Sequence, residues 1–159
     1  GKEMLDETYL YLKSIFEDTK NIKEKKQKIE GQVFEGIGEG KFYMQLDEYV
    51  QQFVKKLGFK PYPGTLNLRV AQQLVHDFLK TKPHLFIEGF ATKERTYGGI
   101  DCYPLQLQYK NRSVHAALII PVRTHHPKNV AEIIAQLNLR SHFKLHNGSE
   151  VLLLSRTTS

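Results

Sequence analysis

Three short stretches of this chain hold residue types whose spacing suits chemistry. The first is Gly36-Ile37-Gly38-Glu39-Gly40-Lys41. Glycines at alternate positions leave the backbone bare, permit unusual φ and let a ligand approach the main chain. Successive backbone N–H groups can then surround an anion, and Lys41 adds a positive charge. The spacing is not the dinucleotide fingerprint, because the third glycine comes too early and a strand, not a helix, is expected to follow. It is not a P-loop either, because no Gly-Lys-Ser/Thr is present. A plain glycine-rich hairpin loop would also explain it.

The second stretch is Pro61-Tyr62-Pro63-Gly64-Thr65-Leu66-Asn67-Leu68. Two prolines and a glycine fix a turn that delivers the chain into a strand. Thr65 and Asn67 are two apart, so both side chains emerge on one face, while Leu66 and Leu68 point into the core. A hydroxyl beside a carboxamide offers hard, neutral oxygen ligands suited to Mg²⁺. Such a pair holds the ion weakly until nucleotide phosphates add charge. Two solvent-facing strand residues would look the same.

The third stretch runs from Pro121-Val122-Arg123-Thr124-His125-His126 through Glu132-Ile133-Ile134-Ala135 to Leu137-Asn138-Leu139-Arg140. Glu132 lies among apolar neighbours near the end of an expected helix. A partly desolvated carboxylate there can act as a base or bind ligand hydroxyls, and an exposed helix residue is the plainer alternative. His125 and His126 have no third ligand at a recognisable spacing, so a zinc site is not expected. Cys102 sits in an expected strand and reads as a small buried hydrophobe. No Gly-x-Ser-x-Gly elbow supports serine hydrolase chemistry.

Alternating short apolar runs and turn residues must position these groups. Strands are expected near 31–35, 41–45, 65–69, 84–89, 100–109, 113–121 and 150–155, with helices at 47–57, 70–80 and 128–135. His146-Asn147-Gly148 marks a turn suited to positive φ. Many short strands and few helices imply a mainly β fold, either a small barrel or a related α+β arrangement. Ahead of it, Leu5, Tyr9, Leu12 and Phe16 fall on one face of a helix, followed by the charged run 19–29. That apolar stripe needs a partner, either the following domain or something outside this chain.

Composition narrows the classes. The chain has 159 residues, 40% hydrophobic and 25% charged, which excludes wholesale disorder. A single cysteine excludes disulfide scaffolds and multi-cysteine metal sites. No apolar run reaches the ~18 residues of a membrane span, and no apolar signal core follows the charged N-terminus, so a cytoplasmic setting is expected. The net charge of +6 lies wholly beyond residue 30, because residues 1–30 carry seven basic and seven acidic side chains. A basic domain points to an anionic partner, nucleic acid or a phosphorylated small molecule.

In this order and at this separation, the segments resemble the archaeal CTP-dependent riboflavin kinases. The matching text is GIGEGK at 36–41, LGFKPYPGTLN at 57–67, Thr124 through Arg140, and KLHNGSEV at 144–151. The resemblance implies a six-stranded cradle-loop β-barrel of the RIFT type over 30–159, preceded by an N-terminal α-helix. It implies transfer of the γ-phosphoryl of CTP to the primary hydroxyl of riboflavin, giving FMN and CDP. Gly36, Ile37, Gly38, Glu39, Gly40 and Lys41 would then line the CTP phosphates. Thr65 and Asn67 would coordinate Mg²⁺, Thr124 and Glu132 would contact the flavin, and Glu132 would orient the reacting hydroxyl. Leu137, Asn138, Leu139 and Arg140 would form the nucleotide's other wall. Gln136 stands where relatives often have proline. Residues 70–98 match weakly and are expected to lie away from the chemistry.

Residues 1–29 resemble the last helix and linker of the winged-helix DNA-binding domain that some relatives carry. On that reading the chain is part of a longer protein, and DNA is a partner only through the absent domain. The alternative from another class is a flavin- or nucleotide-sensing domain of a transcription regulator. Such a sensor need not keep the Thr65–Asn67 pair. Direct nucleic-acid binding by the basic barrel is a third possibility and would weaken steeply with salt.

Overall fold

The architecture comes from a computed structural model, which describes residues 8–15, 28–80, 84–123 and 128–155. Residues 8–15 form helix α1. Then come β1 (Lys28–Phe34), α2 (Glu39–Tyr43), α3 (Asp47–Leu57), β2 (Leu66–Val70) and α4 (Gln72–Lys80). They are followed by β3 (Leu85–Ile87), β4 (Phe90–Ala91), β5 (Thr96–Tyr97), β6 (Ile100–Tyr109), β7 (Arg112–Pro121), β8 (Val130–Ala135), α5 (Leu139–Phe143) and β9 (Glu150–Ser155). No helix among the described residues is long and apolar enough to cross a membrane.

Six antiparallel strands close into a barrel in the order β6-β7-β8-β2-β1-β9, with β9 returning to β6. The long strand β6 makes closure possible by dividing one edge between two partners. Ile100–Cys102 pair with β3, and Leu105–Gln108 pair with β9. Pro104, which has no N–H to donate, falls in the gap between those two partners. The expected six-stranded barrel is therefore the observed one.

Period-two alternation fills the interior. Leu66 and Leu68 of β2, Leu105 and Leu107 of β6, Ala131 and Ile133 of β8, and Val151 and Leu153 of β9 meet there. A second apolar layer lies outside. Ala117 and Ile119 of β7 and Ile134 of β8 face outward and pack with Tyr49 and Phe53 of α3. This is why Ala116–Ile119 are buried at four consecutive positions: alternate residues serve different layers. Helix α3 is well specified for the task. Asp47 and Glu48 open it, Lys55 and Lys56 close it, and Gly58 ends it at φ +86°.

Two elements differ from expectation. Residues 41–45 were expected as a strand, but α2 occupies 39–43 and a turn bond from Met44 N–H to Gly40 O ends it. A short helix, not a strand, therefore follows the glycines, and the exclusion of a dinucleotide fingerprint rests on glycine spacing alone. The expected helix over 128–135 is instead β8. Val130, Ile133 and Ile134 suit a pleated strand, and slots beside β7 and β2 were open to it. Residues 28 and 29 lie in β1, with Ile29 buried, so the linker expected over 19–29 ends sooner. In α1, Tyr9 is 65% and Leu12 59% exposed, so the stripe does not dock firmly on the barrel. Leu5 and Phe16 lie outside the described residues.

Candidate active site

The outer face of the barrel, not its interior, carries the chemistry-bearing side chains. Leu66, Leu68 and Ile133 point inward, so Asn67 and Glu132 emerge outside. The β2–β8 ladder sets Asn67 directly opposite Glu132, and β7–β8 sets Ile119 opposite Glu132 on the other side. Thr65, just ahead of β2, lies with its Oγ1 3.5 Å from Glu132 Oε1, at the outer edge of hydrogen-bonding distance. Glu132 is thus a strand residue on a half-buried outer surface.

The glycine segment lies against this surface. Strand β1 pairs Phe34 with Asn67, which brings the following loop over β2. A Cβ on Gly36 would stand 2.3 Å from Asn67 Nδ2, and one on Gly40 would stand 2.6 Å from Thr65 Oγ1. Neither position has room for a side chain. Gly38 meets nothing within 4 Å but sits at φ +85°, where L-residues are strained. Ile37 is 88% exposed at the loop tip, and Lys41 is exposed on α2. The bare backbone and the two neutral oxygens, far apart in sequence, therefore meet.

Two cavities flank Thr65. One, of about 70 Å³, lies between Tyr62, Gly64 and Thr65 and the run Leu137–Arg140. The side chains of that run are committed to the scaffold. Asn138 Oδ1 accepts from Ser141 N–H at 3.3 Å, and its Nδ2 donates to Tyr62 Oη at 3.2 Å. Leu139 is buried in the barrel interior. Arg140 Nη2 donates to Phe34 O at 3.1 Å and to Asn147 Oδ1 at 2.9 Å, tying the start of the glycine loop to the turn at Asn147-Gly148. What Leu139 and Arg140 can offer a ligand here is mainly backbone.

The other cavity, of about 140 Å³, runs from Gly40, Thr65 and Glu132 to a wall formed by Tyr43, Tyr97 and Arg95. Sequence reasoning missed this wall. Residues 95–98 (Arg-Thr-Tyr-Gly) lie in the stretch expected to stay clear of the chemistry, yet Arg95 through Gly99 line the same cavity as Glu132. The hairpin β4–β5 folds back because Thr92 and Arg95 bridge its tip, with Thr92 N–H donating to Arg95 O at 2.8 Å. The available signal was the glycine pair next to an arginine and an aromatic. Arg123, from the third stretch, also lines the cavity and donates to Thr96 Oγ1 at 2.8 Å. Thr124 lies outside the described residues, as do His125 and His126.

The titrating groups fit this division of labour. Tyr49 donates to Gly98 O at 2.6 Å, and burial raises its phenol pKa above the usual value. Burial also pushes the Cys102 thiol up to about 12, which suits an inert core residue. No group of three or more His, Cys, Asp or Glu gathers among the described residues. A protein-only cage for a metal is therefore absent there. Thr65 and Asn67, held by the glycine backbone, fit a hard divalent cation that draws its remaining ligands from a substrate.

Comparison with known proteins adds independent findings. Residues 33–154 match the family model CTP-dep_RFKase, described as a domain of unknown function, DUF120. The chain is 39% identical over 153 residues to a riboflavin kinase of Archaeoglobus fulgidus, covering 95% of this chain and 62% of that protein. It is 37% identical over 154 residues to a riboflavin kinase of Methanosarcina acetivorans, covering 96% and 62%. With a riboflavin kinase of Methanocella arvoryzae the identity is 44% over 121 residues, covering 76% and 53%. The chain thus spans about 62% of the length of the first two relatives.

Proposed function

Because the chain belongs to the CTP-dependent riboflavin kinase family, we propose that it transfers the γ-phosphoryl of CTP to the primary hydroxyl of riboflavin, yielding FMN and CDP. The observation that carries this reading is the meeting of Gly36 with Asn67 and of Gly40 with Thr65, with Glu132 beside them. Phosphoryl transfer asks a protein for positioning and charge neutralisation more than for covalent help. The backbone N–H groups of 36–40 and the Lys41 ammonium supply donors for the β- and γ-phosphates. Thr65 Oγ1 and the Asn67 carboxamide oxygen would hold Mg²⁺. When bound, the ion offsets the charge that builds up on the transferring group.

Thr65 lines both cavities, which suits a phosphoryl group passed between two ligands. The donor nucleoside takes the smaller cavity, where main-chain groups of 137–140 read its base. The acceptor takes the larger one. Glu132 orients the ribityl hydroxyl there and accepts a hydrogen bond from it, so that one oxygen lone pair faces the γ-phosphorus. The attacking oxygen forms its bond to phosphorus as the bond to the β-phosphate oxygen breaks, CDP departs, and the hydroxyl proton passes along its hydrogen bond to Glu132. The expected flavin contact of Thr124 rests on sequence resemblance. The proposed kinase domain starts with β1 at Lys28, well after helix α1 over 8–15.

The test is direct. The protein is incubated with riboflavin, Mg²⁺ and each of CTP, ATP, GTP and UTP, and products are separated by chromatography. FMN is expected with CTP. No FMN with any nucleotide overturns the reading, and FMN with ATP but not CTP overturns the donor assignment.

A further inference from the structure

The glycine segment hangs from the end of a strand. Strand β1 pairs with β9 only as far as Gln32 and with β2 only as far as Phe34. Gly36 and Gly40 come after the last paired residue, yet both lie hard against their neighbours, Asn67 and Thr65. Contacts beyond the ladder must therefore hold the stem. The turn after α5 takes over where β9 stops. Val33 N–H donates to Ser149 O at 2.8 Å, and Gly148 N–H donates to Val33 O at 2.7 Å. One residue further on, the Phe34 carbonyl meets a side chain instead: Arg140 Nη2 donates to it at 3.1 Å and to Asn147 Oδ1 at 2.9 Å. A guanidinium nitrogen of this kind carries a pair of hydrogens, so one atom serves both acceptors. Arg140 is also fixed at its root, where its carbonyl accepts from Leu145 N–H at 2.8 Å. The turn that presents Asn147 is braced in itself, by Ser149 N–H on His146 O and by His146 N–H on Ser149 Oγ, both at 2.9 Å.

We propose that Asn147 is a positioning residue for the glycine segment: its carboxamide oxygen orients the Arg140 guanidinium, which fixes the Phe34 carbonyl and the backbone that leads into Gly36. Asn147 lines neither of the two cavities beside Thr65, so it acts through Arg140. The inference rests on the donor site assigned above and adds a residue that controls it from outside. Arginine presents a rigid planar fork, so holding one nitrogen between two acceptors sets the plane of the whole group. Without Asn147 Oδ1 the long side chain regains rotamers, and the Phe34 carbonyl keeps an unsteered donor. The stem then samples more positions. A phosphate that needs several N–H groups at once must order them on binding, so affinity falls while the bound complex reacts as before.

Amide hydrogen exchange, read by mass spectrometry on the intact chain, follows the stem without turnover. Asn147→Ala is expected to speed exchange in the peptide spanning 34–41 at least ~3-fold, although that peptide is remote from the mutation in sequence. Asn147→Asp keeps the acceptor oxygen and should exchange at the wild-type rate. Calorimetric titration with CTP should show affinity about fivefold weaker in Asn147→Ala and within about twofold of wild type in Asn147→Asp, as for a lost and a retained bond to a charged donor. In the steady state the loss should fall on the KM for CTP, with kcat and the KM for riboflavin unchanged. Arg140→Lys lacks the planar fork, is expected to behave as Asn147→Ala does, and remains informative if the alanine variant fails to fold. Unchanged exchange over 34–41 in both Asn147→Ala and Arg140→Lys overturns the assignment. A fall in melting temperature with CTP affinity unchanged reduces Asn147 to a structural role and overturns it too. Faster exchange over 34–41 in these variants of a chain that makes no FMN sinks the kinase reading and leaves the positioning role standing. FMN production with wild-type exchange and CTP affinity in both variants does the reverse.

Discussion

The two sides of the site are made by opposite means. On the proposed donor side, side chains are removed: Gly36 and Gly40 let the main chain press on Asn67 and Thr65. On the proposed acceptor side, side chains are accumulated: Tyr43, Tyr49, Phe90 and Tyr97 interlock around one cavity wall. A backbone cradle offers fixed N–H donors at no cost in rotamer entropy, which suits a phosphate. A ring-lined chamber offers area and shape, which suits a flat organic group. The contrast teaches that the donor side should tolerate no added atom, whereas the acceptor side should degrade gradually.

Mutations can break that comparison. The largest effect is expected from Thr65→Ala and Asn67→Ala, each lowering kcat by ~10² or more, as for a contact made in the transition state. Wild-type turnover of both at saturating Mg²⁺, in a steady-state assay, would falsify the metal assignment. Glu132→Gln should lower kcat by about 10² and leave the nucleotide KM unchanged. A large rise in that KM would move Glu132 to the donor side. Gly40→Ala should cost about tenfold in kcat/KM, because its methyl displaces Thr65 from alignment. An unchanged kcat/KM in Gly40→Ala would show that the loop is looser than its 2.6 Å approach to Thr65 Oγ1 requires.

Smaller effects sharpen the acceptor side. Tyr49→Phe leaves Gly98 O without its donor and should lower stability by about 1 kcal/mol, or 2–4 °C in melting temperature. An unchanged melting temperature would mean that the hairpin is held without that bond. The smallest effect concerns Cys102. Its thiol should stay unreactive to a disulfide reagent at pH 8 until the protein unfolds. The pKa is raised from 9.0 to about 12 in the fold, so the folded chain retains a proton that the unfolded chain loses. Stability should therefore fall as pH climbs through that window. Rapid labelling of native protein would contradict the burial of this residue.

The same asymmetry explains what could be read from the sequence. The cradle is contiguous, and Thr65 and Asn67 are two apart, so their types and spacing were visible. The barrel was visible as alternation in β2 and β6 and as short apolar runs in β7 and β9. The chamber was not, because Tyr43, Tyr49, Phe90 and Tyr97 come together only when α2, α3 and the β4–β5 hairpin pack outside the barrel. The two misread elements share that cause. Phe42, Tyr43 and Met44 look like a strand, but Met44 is buried in the outer layer as a helix turns. Ala131, Ile133 and Ala135 face the interior while Ile134 joins the outer layer, and this apolar run hid the period of two in 130–135.

One consequence follows from Asn67 standing opposite Glu132 across the β2–β8 ladder. Side chains on a pleated strand swap faces with every step, so a slippage of one residue in β8 would send the carboxylate into the barrel lumen and turn Ile133 outward. The distance between Asn67 and Glu132 is thus metered by the pitch of the strands themselves. Assembling the lattice in the correct frame and assembling the candidate site are a single event.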